Sequence, residues 1–265
     1  MNAHIHPVSS IPDAYAYLKT LHPNWDLVLG VPDGSGWLRG SDLLFPDAMP
    51  FRDLLQVLGT RRETEDRRAM VASFFLRFGW SAGVAIAPFL LCRAVPNMSL
   101  DNISFKFGEY GLFERVALHR AEGVIGADEG QTEDLRRYLR QTLVGQATPI
   151  VDALHAWSRF SVRAIWGMIT SSWGSQFVQV MQHLDVSHAG WTEAEHFFDG
   201  DGEMQQMRPH FYDVSHQGRT RVFHRRSACC RYYLMPEGNY CASCPLIPQE
   251  ESIRRNKEWM AQGNA

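Results

Sequence analysis

The chain has 265 residues, 45% apolar and 12% aromatic, enough to bury a sizeable core in one large domain or two small ones and too hydrophobic for a disordered chain. With 26 basic and 29 acidic side chains the net charge is only -3, so no global field recruits nucleic acid or an acidic membrane surface, and nucleic acid is not an expected partner. The opening MNAHIHPVSSIPDAYAYLK lacks a basic stretch followed by an apolar one, and the longest apolar run, Ser81 to Cys92, is shorter than the roughly 20 residues that span a bilayer. A cytoplasmic protein with reduced thiols is the expectation.

In chain order, residues 11–21 read as a short helix ended by His22-Pro23, because the residue before a proline avoids helical angles. WDLVLGV reads as a strand. VPDGSGWLRG reads as a loop, and its glycines at 34, 36 and 40 miss the G-x-G-x-x-G spacing by one residue, so no dinucleotide site is assigned. FRDLLQVLG suggests a short helix. The run from Thr64 to Arg93 suggests a long apolar helix, capped by Thr64, with Arg67 and Arg68 in its first turns, and kinked or ended at Pro88. ISFKFGEYGLFERVAL alternates on both sides of Gly108 to Gly111, as a hairpin does. From Thr132 the pattern is helical through LRRYLRQTLVGQATPIVDALHAWSRF and SVRAIWGMITSSWGSQFVQVMQHL, and after about residue 190 it becomes less regular. The fold class is therefore α+β, mostly helical, with a small antiparallel β element and an irregular C-terminal cysteine-rich segment. It divides into a helix-rich region 1–215, the cysteine segment 216–250 and a tail 251–265.

Four of the five cysteines, Cys229, Cys230, Cys241 and Cys244, fall within sixteen positions as C-C-x10-C-x2-C. Cys241 and Cys244 form a two-ligand turn whose thiolates can reach one metal, at about 2.3 Å for zinc. Neighbouring side chains of an extended strand point to opposite faces, so Cys229 and Cys230 converge only if the backbone turns between them. That is easier around a target larger than one atom, such as a two-iron cluster. Residue chemistry leaves a zinc knuckle, an iron–sulfur cluster and a redox disulfide open. Between Asp213 and Glu237 there is no carboxylate, while Arg219, Arg221, Arg225, Arg226 and Arg231 lie there, as a cluster environment or as a solvated basic strand. His224, five residues before Cys229, is a candidate donor or proton partner beside the ligands. Cys92 reads as a buried thiol. His183, His188 and His196 lack metal-binding spacing, and Trp157, Trp166 and Trp173 read as a core stripe.

The C-C-x10-C-x2-C arrangement, preceded by arginines in HRRSACCRYYL and followed by proline in CASCPL, resembles the C-terminal signature of ferric-siderophore reductases of the FhuF type. Upstream, SVRAIWGMITSSW is similar to the arginine-then-tryptophan-glycine element of that family, at Arg163, Trp166 and Gly167. The resemblance implies that Cys229, Cys230, Cys241 and Cys244 hold a 2Fe-2S cluster, and that region 1–215 is the reductase and siderophore-binding part. Arg226, Arg231 and His224 would surround the cluster. Nearby guanidinium groups would then stabilise its more negative reduced state and raise its potential. The implied substrate is a ferric hydroxamate siderophore, reduced in the cytoplasm, with a weak association with the inner membrane. No flavin or nicotinamide fingerprint occurs, so an external donor is expected: a ferredoxin, a flavodoxin or a reductase. The rival readings are a zinc-knuckle binding module without catalysis and an electron-transfer protein without a siderophore site.

Overall fold

The computed structural model describes residues 5–22, 25, 27–199, 207–236 and 238–262. Helix α1, Ile11–Leu21, starts where Ser10 Oγ accepts the Asp13 N–H at 3.2 Å and ends at His22 in extended conformation, as the His-Pro pair predicts. The predicted strand at 25–31 shrinks to β1, Val28–Leu29, while the predicted loop contributes β2, Trp37–Arg39. The expected hairpin forms from β4, Ile103–Phe107, and β5, Phe113–Leu118. These four strands make one sheet in the order β1-β5-β4-β2, antiparallel except for β1 against β5. A second pair, β3 (Ala94–Pro96) with β6 (Gly123–Ile125), is antiparallel.

Helix α2 spans Phe51–Arg61. The long helix expected over 64–93 is two helices: α3, Arg67–Phe78, a 3-10 turn Gly79–Ala82, and α4, Gly83–Cys92. Its cap is Asp66, whose Oδ1 accepts the Arg68 N–H at 2.9 Å, while Thr64 Oγ1 accepts the Asp66 N–H at 3.1 Å. Pro88 neither ends nor breaks α4. A proline cannot donate to the carbonyl four residues back, and here that carbonyl, on Val84, accepts the Tyr15 hydroxyl at 2.6 Å instead. The helix stops at Arg93, in the left-handed region at φ +51. Residues 67–92 together are long and apolar enough to cross a bilayer, a longer run than residues 81–92 alone, and 72% of its most apolar window is buried inside the fold.

Two long helices follow, α5 (Thr132–Ser158) and α6 (Val162–Gln182), then α7 (Ser187–Phe198). Helix α6 is buried on almost every side from Ile165 to Met181, which makes it the central element against α3, α4 and α7. Trp166 and Trp173 pack edge-on there, with ring centroids 6.1 Å apart. Trp157 is not in that stripe, since it lies on α5 and donates from Nε1 to Asp47 at 2.7 Å. Helices α5 and α7 are joined by Arg136, whose Nη2 donates to the buried Glu193 carboxylate at 3.1 Å.

The region past residue 190 is more regular than its sequence suggests. Strands β7, His210–His216, and β8, Arg219–Arg225, form a hairpin across Gln217-Gly218, both at positive φ as a two-residue turn requires. The boundary read at 215/216 falls at the end of β7. Most of the 251–265 stretch read as a tail belongs to helix α8, Gln249–Ala261. It covers the hairpin, with Met260 beside Tyr212 and Val214, and Asn256 Nδ2 donating to the Tyr212 hydroxyl at 2.8 Å.

Candidate iron–sulfur site

The cysteine segment begins where β8 ends, and its Cys241–Cys244 turn is held against that end by Arg226. The Arg226 N–H donates to the Ser243 carbonyl at 2.9 Å, its Nε donates to Ser243 Oγ at 3.1 Å, and its Nη2 touches Cys241 Sγ. The Cys244 N–H donates to the Cys241 carbonyl at 3.0 Å, closing the predicted two-ligand turn. On the other side, Arg231 adopts the left-handed region at φ +59, and this bend lets its own N–H donate back to Cys229 Sγ at 3.3 Å. The backbone thus turns just after the adjacent pair. Cys230 and Cys241 lie close enough across the loop for each to influence the other's ionisation.

Arginines clamp the carbonyls around the thiols. Arg62 donates from Nη1 to the Cys230 carbonyl at 3.1 Å, with its guanidinium 5.5 Å from the centroid of the Tyr232 ring. Arg225 reaches the carbonyls of Pro245 at 2.8 Å and of Ile247, and Arg255 reaches that of Tyr240. Such charge-assisted bonds fix a loop that has little regular structure of its own.

The segment also docks closely on α6. A Cβ at Gly167 would lie 2.6 Å from Ala228 Cβ and 3.2 Å from the Ala228 nitrogen, so only glycine lets the chain pass there. Ser227 Oγ donates to the Gly167 carbonyl at 3.4 Å. The tryptophan-glycine element of the sequence therefore supports the cysteine segment directly, and Ala228 and Cys230 belong to the main hydrophobic core.

The electrostatics follow from these contacts. The Cys230 thiol is pulled well below the usual thiol range, first by Cys241 across the loop and then by the Arg226 and Arg62 guanidinium groups. Cys241 is pushed up, first by Cys230 and then by burial. Burial raises Cys229. Burial would lower Arg226, but Cys230 and Cys241 outweigh it and hold the guanidinium charged.

Each residue singled out in the sequence has a definite place. Arg226 sits against a sulfur. Arg231 meets Cys229 only through its backbone, because its side chain pairs with Asp66 at the start of α3, at 3.2 Å. His224 lies beyond Arg226 in a neighbouring cleft, its ring 6.3 Å from that of Phe211, and among the described residues it donates no hydrogen bond to a cysteine. Burial, and then Arg226, lowers its pKa to about 4, so it is neutral at pH 7. Cys92 is buried at the end of α4, its thiol pushed up to about 12 by burial. His188 pairs with Asp213 at 2.9 Å. Arg62 was not legible as a site residue, since 168 positions separate it from Cys230. Ser243 was visible inside CASC, but nothing in the spacing marked it as the residue that receives Arg226. Among the described residues no three His, Cys, Asp or Glu side chains form a ready-made single-ion site.

Residues 226–246 match the family model of the FhuF 2Fe-2S C-terminal domain. No curated protein matches the chain. The matched segment spans all four clustered cysteines, and a 2Fe-2S cluster is its cofactor. The donor set fits that group: the thiols are soft ligands, and a half-buried guanidinium already rests on one sulfur while a backbone N–H points at another.

Proposed function

With a FhuF-type 2Fe-2S segment at residues 226–246, we propose that the protein is a ferric-siderophore reductase acting in the cytoplasm, with Cys229, Cys230, Cys241 and Cys244 as the cluster ligands. The observation that carries this reading is the seating of Arg226 on Cys241, with its guanidinium also bordering an open cleft toward α6. A bound 2Fe-2S cluster supplies one-electron transfer at a potential set by local charge and by hydrogen bonds to sulfur. Side chains and backbone of this protein provide both. Arg226 places a charge-assisted donor on Cys241, the Arg231 N–H serves Cys229, and the guanidinium of Arg62 lies close enough to lower the Cys230 thiol pKa. Arg62, Arg225 and Arg255 hold the surrounding carbonyls, so little of the loop has to rearrange when the charge of the site changes.

The substrate class in this reading is a ferric hydroxamate complex. Hard oxygen donors grip ferric iron far better than ferrous, so one added electron loosens the metal. The electron comes from an external donor, because the sequence contains no nicotinamide or flavin fingerprint. The test is turnover in which ferrous iron is trapped by a chelator. We expect release from a ferric trihydroxamate with NADPH, a ferredoxin or flavodoxin and its reductase, and none with NADPH alone. Sustained release with NADPH and purified protein alone would overturn the need for a donor. No release in either condition, from protein shown to be reduced, would overturn the reductase reading.

A further inference from the structure

Two hollows that share Trp80 lie along α6, and a third toward β8, walled in part by Arg221, adjoins them at Ser175, Gln179 and His224. The larger of the two, about 440 Å³, lies between α1, α4 and α6 and is walled by His22, Trp25, Trp80, Gln176, Gln179 and His183. The smaller, about 180 Å³, is bounded by Trp80, Ser172, Ser175, His224, Arg226 and Ser243. Trp80 belongs to both. Ser172, Ser175, Gln176, Gln179 and His183 recur at helical spacing, so they make one polar face on an otherwise apolar helix.

Three features mark this face as a ligand site. Gln176 is 8% exposed, and its Nε2 has no hydrogen-bond partner. A buried amide donor left open costs about 1–3 kcal/mol, and a ligand acceptor at that point would recover it. Trp80, in contrast, is 47% exposed although it sits in the middle of the most apolar stretch of the chain. The 3-10 turn puts it there. A Cβ at Gly79 would lie 2.5 Å from Ser172 Cβ, so glycine lets the turn press onto α6 and carry the next residue, Trp80, to the rim. Finally, the smaller hollow is bounded by Arg226 and Ser243 of the matched segment, and the Arg226 guanidinium touches Cys241 Sγ, so an occupant there is one side chain from that sulfur.

We propose that this groove, running from the His22–Trp25–His183 corner past Trp80 to Arg226, binds the ferric complex as an uncharged molecule. The proposal rests on the reductase reading above. Among the described residues the two hollows are bordered by one carboxylate, Glu114, and one guanidinium, Arg226, which is already bonded to Cys241 and Ser243. His183 and His224 are both shifted downward, His183 by burial and then by His22, and His224 to about 4 by burial and then by Arg226. The groove therefore offers aromatic faces, amides and hydroxyls without a net cationic field. Ferric iron with three singly charged hydroxamates is neutral and suits it. Ferric iron with three doubly charged catecholates is trianionic, and the one guanidinium among the described residues of the two hollows does not balance that charge. Rings of Trp25 and Trp80 cover the apolar arms of the ligand, while Gln176, and Gln179 through the hydrogen it does not give to Ser175 Oγ at 2.9 Å, donate to its amide and hydroxamate oxygens.

The experiment uses gallium(III), which carries the ferric charge but is not reduced, so binding is read apart from chemistry. Calorimetry on the oxidised, cluster-loaded protein should show binding of a neutral gallium trihydroxamate, and at least about tenfold weaker binding of a gallium tris-catecholate. Trp80→Ala and Gln179→Ala, both at accessible positions, should each weaken the trihydroxamate by about tenfold with the visible cluster bands unchanged. Variants that bind like the parent overturn the groove. Equal or tighter binding of the catecholate overturns the charge argument. A parent that binds neither complex overturns the groove whether or not it reduces ferric iron, and only a failure of ferrous iron to appear in the chelator assay overturns the reductase reading.

Discussion

Arg226 sits against Cys241, with Cys230 across the loop, and that small cluster of side chains carries the first two predictions. Replacing any one of Cys229, Cys230, Cys241 or Cys244 by serine should remove most of the iron and sulfide, because a hard alkoxide replaces a soft thiolate poorly. Cys92→Ser should keep about two irons and two sulfides per chain. Metal and sulfide analysis beside the visible spectrum checks both, and loss of the bands in folded Cys92→Ser would refute the ligand set. The second prediction separates two arginines that look alike in the sequence. Arg226→Gln removes a charged donor from a sulfur and should lower the midpoint potential by on the order of 40 mV, the equivalent of about 1 kcal/mol for one electron. Arg231→Gln should shift it much less, because that guanidinium is committed to Asp66 and the backbone N–H to Cys229 remains. Arg52→Gln, on an exposed pair with Asp53, serves as the unchanged control. A redox titration of the three variants decides, and equal shifts for Arg226→Gln and Arg231→Gln would contradict the geometry.

Among the elements, α6 matters most, because it is both the centre of the core and the seat of the cysteine segment. Gly167→Ala would force a methyl against Ala228 Cβ and the Ala228 nitrogen, which should cost about 1–3 kcal/mol and speed bleaching of the cluster in air. A thermal melt and a bleaching time course measure the two effects, and parent-like values for both would show that the contact is slack. Arg136→Ala would leave the Glu193 carboxylate buried without its partner between α5 and α7, at a cost of about 3–5 kcal/mol, measurable as a lower denaturant midpoint. Elements with a clear period were legible in the sequence: α1, the β4–β5 hairpin, α5 and α6. The break at Gly79 was not, because the residues around it are apolar on all sides and a continuous helix shows the same pattern. Strand β2 was hidden in glycine-rich sequence, and β7–β8 were obscured because their buried face exists only once α8 and α6 cover it. The cysteine spacing marked the candidate ligands, while Arg62 and the α6 groove depend on chain segments that meet only after folding.

For the whole molecule, acid should act through the hairpin as well as through the cluster. An unfolded chain protonates its histidines near pH 6.5, whereas His224, facing Arg226 and the Phe211 ring, resists until about 4. The unfolded state therefore binds more protons between those values, and stability present above pH 6.5 is lost as the pH falls through that window. At pH 5 the loss is about 2 kcal/mol, and His224→Gln should flatten the dependence of the melting temperature on pH between 7 and 5. An unchanged slope in the variant would show that His224 titrates freely. The central claim, that this fold delivers one electron from its C-terminal segment to ferric iron in a siderophore, is tested most directly by a single turnover. Chemically reduced protein, freed of reductant, is mixed anaerobically with a ferric trihydroxamate while the cluster bands and a ferrous chelator are followed together. The account predicts return of the oxidised bands with about one ferrous ion per cluster. Cluster bands that stay reduced in the presence of the ferric complex, with no ferrous ion formed, would contradict it.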